Sequence, residues 1–422
     1  MNYRDLLKRY SENKVSKEEK ILIEDELSKH EAFEEFITEK FDNDFGEKFD
    51  FNEDEKETIG LKKRVNRKLK GIIIKSVLII ILLYIGIFYG LSGLMNYIYY
   101  NPSATTQSVK QKYNNSDFEY DIQAYISLNM PGNTSGTFAF EESKGFGNYR
   151  VSYDIKDLFT KEENIHFVDI NRGKISSAID GVFSWQNRFN LWNGFEKIQY
   201  KSLNKLDEDG EYIHKIEDDR NNKITIDTLN KVNPISYVSM NIMFNEDISM
   251  EEFYRMKKEY PEIKFKWVGV RTSIPGTFWS ENQITHLIGF NPYYNDEPSS
   301  NREPNKEKYP YFYFDPFDLD LGNIYSDEEY DKAIAKAYEN HFYSRLKYIS
   351  QREEFIKMFD YNRFKIDFYK NAIKYVDENG IKSYGVLVYG TAENLIKYIE
   401  KIDYDTIYIN KVLPIKPDIY YN

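Results

Sequence analysis

Cysteine is absent from this 422-residue chain. That excludes a disulfide framework, a thiol nucleophile and any cysteine-ligated zinc site. Histidine is scarce as well, with five scattered residues, so there is little material for a histidine cluster. No metal and no cofactor are expected. The chain also lacks an excess of positive charge. Its net charge of -12 argues against direct nucleic-acid binding, which usually needs a basic surface. Aromatics, by contrast, are plentiful: 37 Tyr and 29 Phe, 17% of residues with Trp included, within a 41% hydrophobic and 30% charged mixture. This is enough apolar mass for a sizeable core, and the length suggests two to three domains.

Charge comes in blocks. Residues 1–60 hold 10 Lys+Arg against 19 Asp+Glu, a net of -9, whereas residues 61–100 hold seven basic residues and no acid. The remainder, 101–422, carries -10. Inside the basic block lies an uncharged run, SVLIIILLYIGIFYGLSGLM, at residues 76–95. Twenty helical residues span roughly 30 Å, the thickness of a hydrocarbon core. Twelve of the twenty are Leu, Ile, Val or Phe, so insertion is favourable by several kcal/mol, at about 0.3–0.6 each. The run starts too late in the chain for a cleaved signal peptide. Lys62, Lys63, Arg64, Arg67, Lys68, Lys70 and Lys75 precede it, while only Lys110 and Lys112 follow closely. The positive-inside rule therefore places residues 1–70 in the cytoplasm and 101–422 outside. Tyr97, Tyr99 and Tyr100 form an aromatic collar at the far end.

The acidic head, residues 1–41, reads as short amphipathic helices. Leu6, Leu7 and Tyr10 share helical spacing in the first, and Asn13 breaks it. Ser16-Lys17-Glu18-Glu19 is a capping box that opens a second helix with Ile21, Leu22 and Leu27, expected to end near His30. A third offers Phe33, Phe36 and Ile37. So small a head buries little area and stands to gain stability from a partner. Apolar stripes in an acidic surround suit a basic cytoplasmic protein; the plainer alternative is stripes that pack on each other. Residues 42–60, eight of nineteen acidic, read as a flexible linker. It leads to the basic juxtamembrane segment ending at Lys75, which anionic lipid attracts.

Beyond the run, residues 101–115 read as a polar stalk. A membrane-proximal domain is expected over 101–231, β-rich, with strands at 120–128 and 147–153 and a charged loop at 217–222. A C-terminal domain is expected over 232–422. There a strand at 237–244, a helix opened by the capping box Ser249-Met250-Glu251-Glu252 and ending before Pro261, and a strand at 263–270 make one strand-helix-strand unit. A second follows: strand 384–389, a turn at Gly390, a helix capped by Thr391 through Ile399, and strand 406–412. Between them, Ser326 starts a helical section reaching Phe359, and a further helix from Tyr361 stops near Gly380. Segment 292–325 reads as a long loop. The fold class expected is α+β, with helices over one face of a shared sheet.

No catalytic constellation assembles from these residues. Gly385 and Gly390-Thr391 have phosphate-loop spacing but lack the lysine. Glu353 and Glu354 diverge on a helix, and His341 lies in a Tyr-rich helix. The chain is expected not to be an enzyme.

A short acidic helical head, one membrane span, a segment reading YDIQAYISLNMPG and a C-terminal unit reading YGVLVYGTAENLIKYIE together resemble the sigma factor regulator family of Gram-positive bacteria. The resemblance covers roughly 1–160 and 232–412. It implies a membrane-bound anti-sigma factor. The head would sequester an extracytoplasmic-function RNA polymerase sigma factor, and the exterior domain would sense envelope conditions through an unknown extracellular ligand or protein. Under that implication Leu6, Leu7, Tyr10, Ile21, Leu22, Leu27, Phe33 and Phe36 are the candidate partner contacts. A cell-surface ligand- or glycan-binding protein without a transcriptional role, and an enzyme acting on wall polymer, remain the alternatives.

Overall fold

The computed structural model describes residues 10, 15–45, 55–106, 115–178, 215–272, 288–293, 304–316, 326–359 and 365–417. The chain divides into two compact units, Met1–Leu82 and Leu83–Asn422.

In the first unit, helix α1 runs Lys17–Phe45. Its capping box is realised: Glu19 N–H donates to Ser16 Oγ at 3.2 Å and Ser16 N–H to Glu19 Oε2 at 2.9 Å. The expected stop near His30 is not there. One continuous helix passes through it, because Leu27 to Phe36 contains no Gly or Pro to break the backbone ladder. Helix also enters both ends of the expected acidic linker: α1 reaches Phe45, and helix α2 begins at Glu55; residues 46–54 lie outside the described residues.

Helix α2 spans Glu55–Ile85 and continues through a π-helical segment, Gly86–Leu91, into α3, Ser92–Ile98. Over Lys62–Ile98 it is long and apolar enough to cross a membrane, and the apolar window is wholly uncovered by the rest of the protein. A helix apolar on every side whose apolar window is unburied is suited to lipid.

The second unit opens with a correction. The segment expected as a strand at 120–128 is helix α4, Asp117–Asn129, capped by Ser116, whose Oγ accepts from Glu119 N–H. Its residues are buried on every side, so an apolar run that imitates period two carries no strand signal here. The expected stalk is also partly built in. Tyr100 and Pro102 are buried, Asp117 N–H donates to Ala104 O, and Phe118 N–H donates to Pro102 O.

After Gly132, an antiparallel meander follows: β1 Asn133–Gly145, β2 Asn148–Asp157, β3 Glu163–Asn171 and β4 Ile175–Ala178. The expected strand at 147–153 is the first part of β2. The expected loop at 217–222 is instead the first part of helix α5, Lys215–Lys231.

The C-terminal elements match the expected alternation closely: β5 Tyr237–Ser249, α6 Met250–Glu259, β6 Lys264–Val270, the short β7 Ile288–Phe290, α7 Asp327–Ile349, α8 Glu353–Phe359, α9 Lys365–Asn379, β8 Lys382–Thr391, α10 Ala392–Ile399 and β9 Thr406–Leu413. Caps at Ser249, Ser326 and Thr391 are formed as the sequence implies. Gly380, at φ +75°, turns the chain after α9. The sheet order is β7-β6-β8-β5-β9, with β5 antiparallel to both β8 and β9. Taking β5, β6, β8 and β9 as strands one to four gives the order 4-1-3-2 of a split βαβ, ferredoxin-like sheet. The two strand-helix-strand units are thus interleaved, each placing its first strand in the centre.

One face of this sheet carries Val238, Met240, Ile242, Phe265, Val386 and Val388, and shares a hydrophobic core with α4, α6, α7, α8 and α10. The other carries Tyr237, Trp267, Tyr384, Leu387 and Tyr389, with Leu158 and Phe159 from the β2–β3 turn packed on it. Residues on both sides of 231 therefore contribute to common cores.

Candidate functional site

Among the eight candidate contacts, Leu6 and Leu7 lie outside the described residues, as do the side chains of Leu22 and Leu27. The Tyr10 hydroxyl donates to Glu24 Oε1 at 3.3 Å. Ile21, Phe33 and Phe36 stand out into solvent at 67%, 62% and 58% exposure, whereas Ile23 is fully buried. At 3.6 residues per turn the three exposed positions fall within an arc of roughly 120°, and Ile23 points to the opposite side. Around the stripe, α1 holds eleven acids and four lysines, with Lys20 paired to Glu24 and Lys29 to Asp25 along the helix. Two phenylalanines more than half exposed on a negative helix offer apolar surface with an anionic rim.

A second cluster of polar side chains lies in the second unit, Leu83–Asn422. Tyr100 lies two residues past the end of α3, and its hydroxyl donates to Asp121 Oδ2 at 2.7 Å. Tyr348, near the end of α7, donates to Asp121 Oδ1 at 2.8 Å. Arg352 donates through Nε to Oδ1 at 2.6 Å and through Nη2 to Oδ2 at 2.9 Å. Asp117, one turn earlier, accepts from Arg352 Nη2 at 3.4 Å and from Thr106 Oγ1 at 2.5 Å. The Asp121 side chain is fully buried and that of Arg352 is 16% exposed. The Tyr100 ring also meets Phe355 of α8 at 6.2 Å.

Burial pushes the Asp121 carboxyl up from its ordinary range, against the lowering effect of the Arg352 charge and the donated bonds. Burial equally opposes the Arg352 charge, but the neighbouring Asp121 carboxylate outweighs it and holds the guanidinium above its usual range. The first shift disfavours the ion pair and the second favours it. Geometry decides for the pair, since all four contacts on the carboxylate come from donors. Chemically this is a latch: it ties the chain leaving the membrane helix to α4 and to the helical layer on the C-terminal sheet.

His341 lies in the same helical layer. Its Nδ1–H donates to Tyr311 O at 2.8 Å, while Nε2 has no partner among the described residues. Ser344 and Arg345 bind Pro310 O and Phe312 O from the same helix. Together the three side chains clamp the 309–314 loop, consistent with the structural role expected for this histidine.

Residues 229–403 match the family described as sigma factor regulator C-terminal. This region belongs to that family. The match runs from the last turn of α5 to just before β9, and so takes in β5 to α10 together with Tyr348, Arg352 and His341. The match supports an anti-sigma role in general, with a sigma factor as the implied partner, and the apolar helix adds a candidate membrane span. No curated protein and no solved structure matches the chain. Neither α1 nor the Tyr100–Asp121 half of the latch falls within the matched residues.

The latch left little trace in the sequence. Asp121 and Arg352 are 231 positions apart, and no local pattern links them. The one usable signal was Ser116-Asp117-Phe118-Glu119, which has the same capping-box form as Ser249–Glu252. Read as a helix start, it puts Asp121 in an apolar helix, where a buried carboxylate demands a cationic partner.

Proposed function

We propose that this regulator is a membrane-bound anti-sigma factor whose α1 sequesters an extracytoplasmic-function sigma factor in the cytoplasm, while the unit after the membrane helix lies outside and senses the envelope. The observation that carries the reading is the exposed stripe Ile21, Phe33 and Phe36 on an acidic helix. It belongs to a chain whose C-terminal region is a sigma factor regulator domain. The basic cluster between Lys62 and Lys75 supports a cytoplasmic head by the positive-inside rule. Sigma factors bind DNA and polymerase with basic and apolar surfaces, and an acidic apolar helix can occlude both. Opposite charge also speeds encounter, more strongly at low salt. The role proposed is one of binding.

The test is affinity purification of full-length protein from detergent-solubilised membranes, followed by identification of the bound proteins. A sigma factor should co-purify with the native chain and be lost from a variant without residues 1–45, which should also raise that factor's regulon. Native protein free of any sigma factor, with the regulon indifferent to the deletion, would leave the surface-binding alternative as the better reading.

A further inference from the structure

We propose that the β1–β4 meander is a strut that couples the C-terminal sheet to the end of the membrane helix. Its two ends are fixed to different elements. At one end, two hairpin turns clasp α3. Phe146 N–H donates to Ser92 Oγ at 2.9 Å, and Gly147 N–H donates to Asn96 Oδ1 at 3.0 Å. The Phe146 ring meets Phe88 edge-on at 5.8 Å. The Tyr99 ring lies against Gly147 and Gly173, where an added Cβ would come within 3.1 and 3.7 Å of it, and both glycines hold positive φ. Arg172 N–H bonds Gly147 O, which joins the two turns into one collar.

At the other end, the β2–β3 turn is a plug on the C-terminal sheet. Asp157 Oδ1 folds the turn by accepting from Phe159 N–H at 2.7 Å and from Thr160 N–H at 3.2 Å. Phe159 stacks on Tyr237 at 5.2 Å and meets Tyr389 edge-on at 4.9 Å. Lys411 of β9 pairs with Asp157 Oδ2 at 2.6 Å.

Between the ends, β2 runs ten residues, roughly 33 Å at about 3.3 Å per residue. Its pairing with β3 is continuous from Asn148↔Asn171 to Lys156↔Glu163, with no bulge. A bulge-free ladder backed by a packed inner face resists bending, so a displacement of the sheet arrives at Ser92, Asn96 and Tyr99. The collar sits directly beyond the π segment Gly86–Leu91, and π segments recur where helices change register. That the coupling regulates sigma capture rests on the function proposed above; the coupling itself does not.

The cysteine-free background makes the test clean. An ideal Cβ at Gly145 would lie 3.5 Å from Ser92 Oγ, within reach of a disulfide. The pair Ser92→Cys with Gly145→Cys therefore reports collar engagement in full-length protein in its native membrane, by the rate of oxidation on adding a mild oxidant. Strain at Gly145 is common to every variant compared. Phe159→Ala should slow cross-linking at least about threefold, and Phe159→Leu should restore most of the rate. Should Phe159→Ala fail to reach the membrane, Lys411→Glu, which sets like charge against Asp157 at a partly exposed position, should slow it in the same direction. An unchanged rate in a membrane-inserted variant overturns the strut.

The sigma-regulon reporter separates the two claims. With the head intact, Phe159→Ala should shift the reporter at least about twofold, and it should do nothing in a chain lacking residues 1–45. A collar that responds while the reporter does not overturns the regulatory role and leaves the strut standing.

Discussion

Removing Arg352 tests the latch most directly. Arg352→Met leaves the fully buried Asp121 carboxylate with two tyrosine hydroxyls as its only remaining donors among the contacts described. Breaking a buried pair by deleting one member costs about 3–5 kcal/mol. Because Arg352 keeps some contact with water, the lower end, about 3 kcal/mol, is the expected value. Asp121→Asn retains an acceptor for the hydroxyls but strands the guanidinium, at about 2–3 kcal/mol by the same reasoning. Combining the two removes both charges at once, so the double variant should cost about 2–3 kcal/mol less than the sum of the singles. The assay is urea unfolding of the full chain in nanodiscs, followed by tryptophan fluorescence; Trp267 lies fully buried in the same unit. Single variants costing under about 1 kcal/mol, or a double variant that is simply additive, would refute the latch as an energetic junction.

Phe33→Asp with Phe36→Asp should weaken sigma capture by at least about thirtyfold, since two half-bare rings contribute about 1–2 kcal/mol each when covered, and titration of solubilised protein with the co-purified factor measures it. Burial, reinforced by the nearby Arg345 charge, holds His341 well below its ordinary pKa. The unfolded chain therefore takes up a proton near pH 6.5 that the fold refuses. Stability present above about pH 6.5 should drop as pH falls, by up to about 1.4 kcal/mol per unit, and His341→Gln should flatten a Tm series taken from pH 7 to 5. Gly385→Ala drives a Cβ to 2.4 Å from Ile242 O at the centre of the sheet and should cost about 2–3 kcal/mol or prevent folding, seen as a lowered Tm. Asn222 caps the outer edge of β9 by binding Asp405 O and Ile407 N. Asn222→Ala should cost about 1–3 kcal/mol and raise self-association on size-exclusion chromatography by baring the strand.

Local rules carried the C-terminal region. Capping boxes, a glycine after α9 and short strands between turn signals all act over a few residues, and all appear where the sequence puts them. Two failures have one cause. Tyr120–Leu128 reads as strand on a partial period-two alternation, and 217–222 reads as loop on its charge; both are local patterns. Tertiary packing overrode both, and in α4 the Ser116–Glu119 box marked the helix start. His30 was over-read as a helix end when no breaker stood near it. The latch, the collar and the plug depend on partners up to 254 residues apart, beyond the range of any periodicity. The exposed stripe on α1 was legible as spacing, yet only the structure separates Ile21 from its buried neighbour Ile23.

The interleaving of the C-terminal sheet has a consequence for biosynthesis. Strand β5 acquires its first neighbour only when β8 arrives, as Tyr237 pairs with Thr391. Its flank opposite β8 waits still longer, for β9. A ribosome that stalls before Lys382 releases a product in which β6 and β7 are the sole strands of this sheet able to join. Closure of the C-terminal sheet therefore waits for β8 and β9, and slow, non-local closure of this kind lengthens the time spent without a complete core. A copy cut short before Lys382 would carry α1 and the apolar helix but no closed C-terminal sheet.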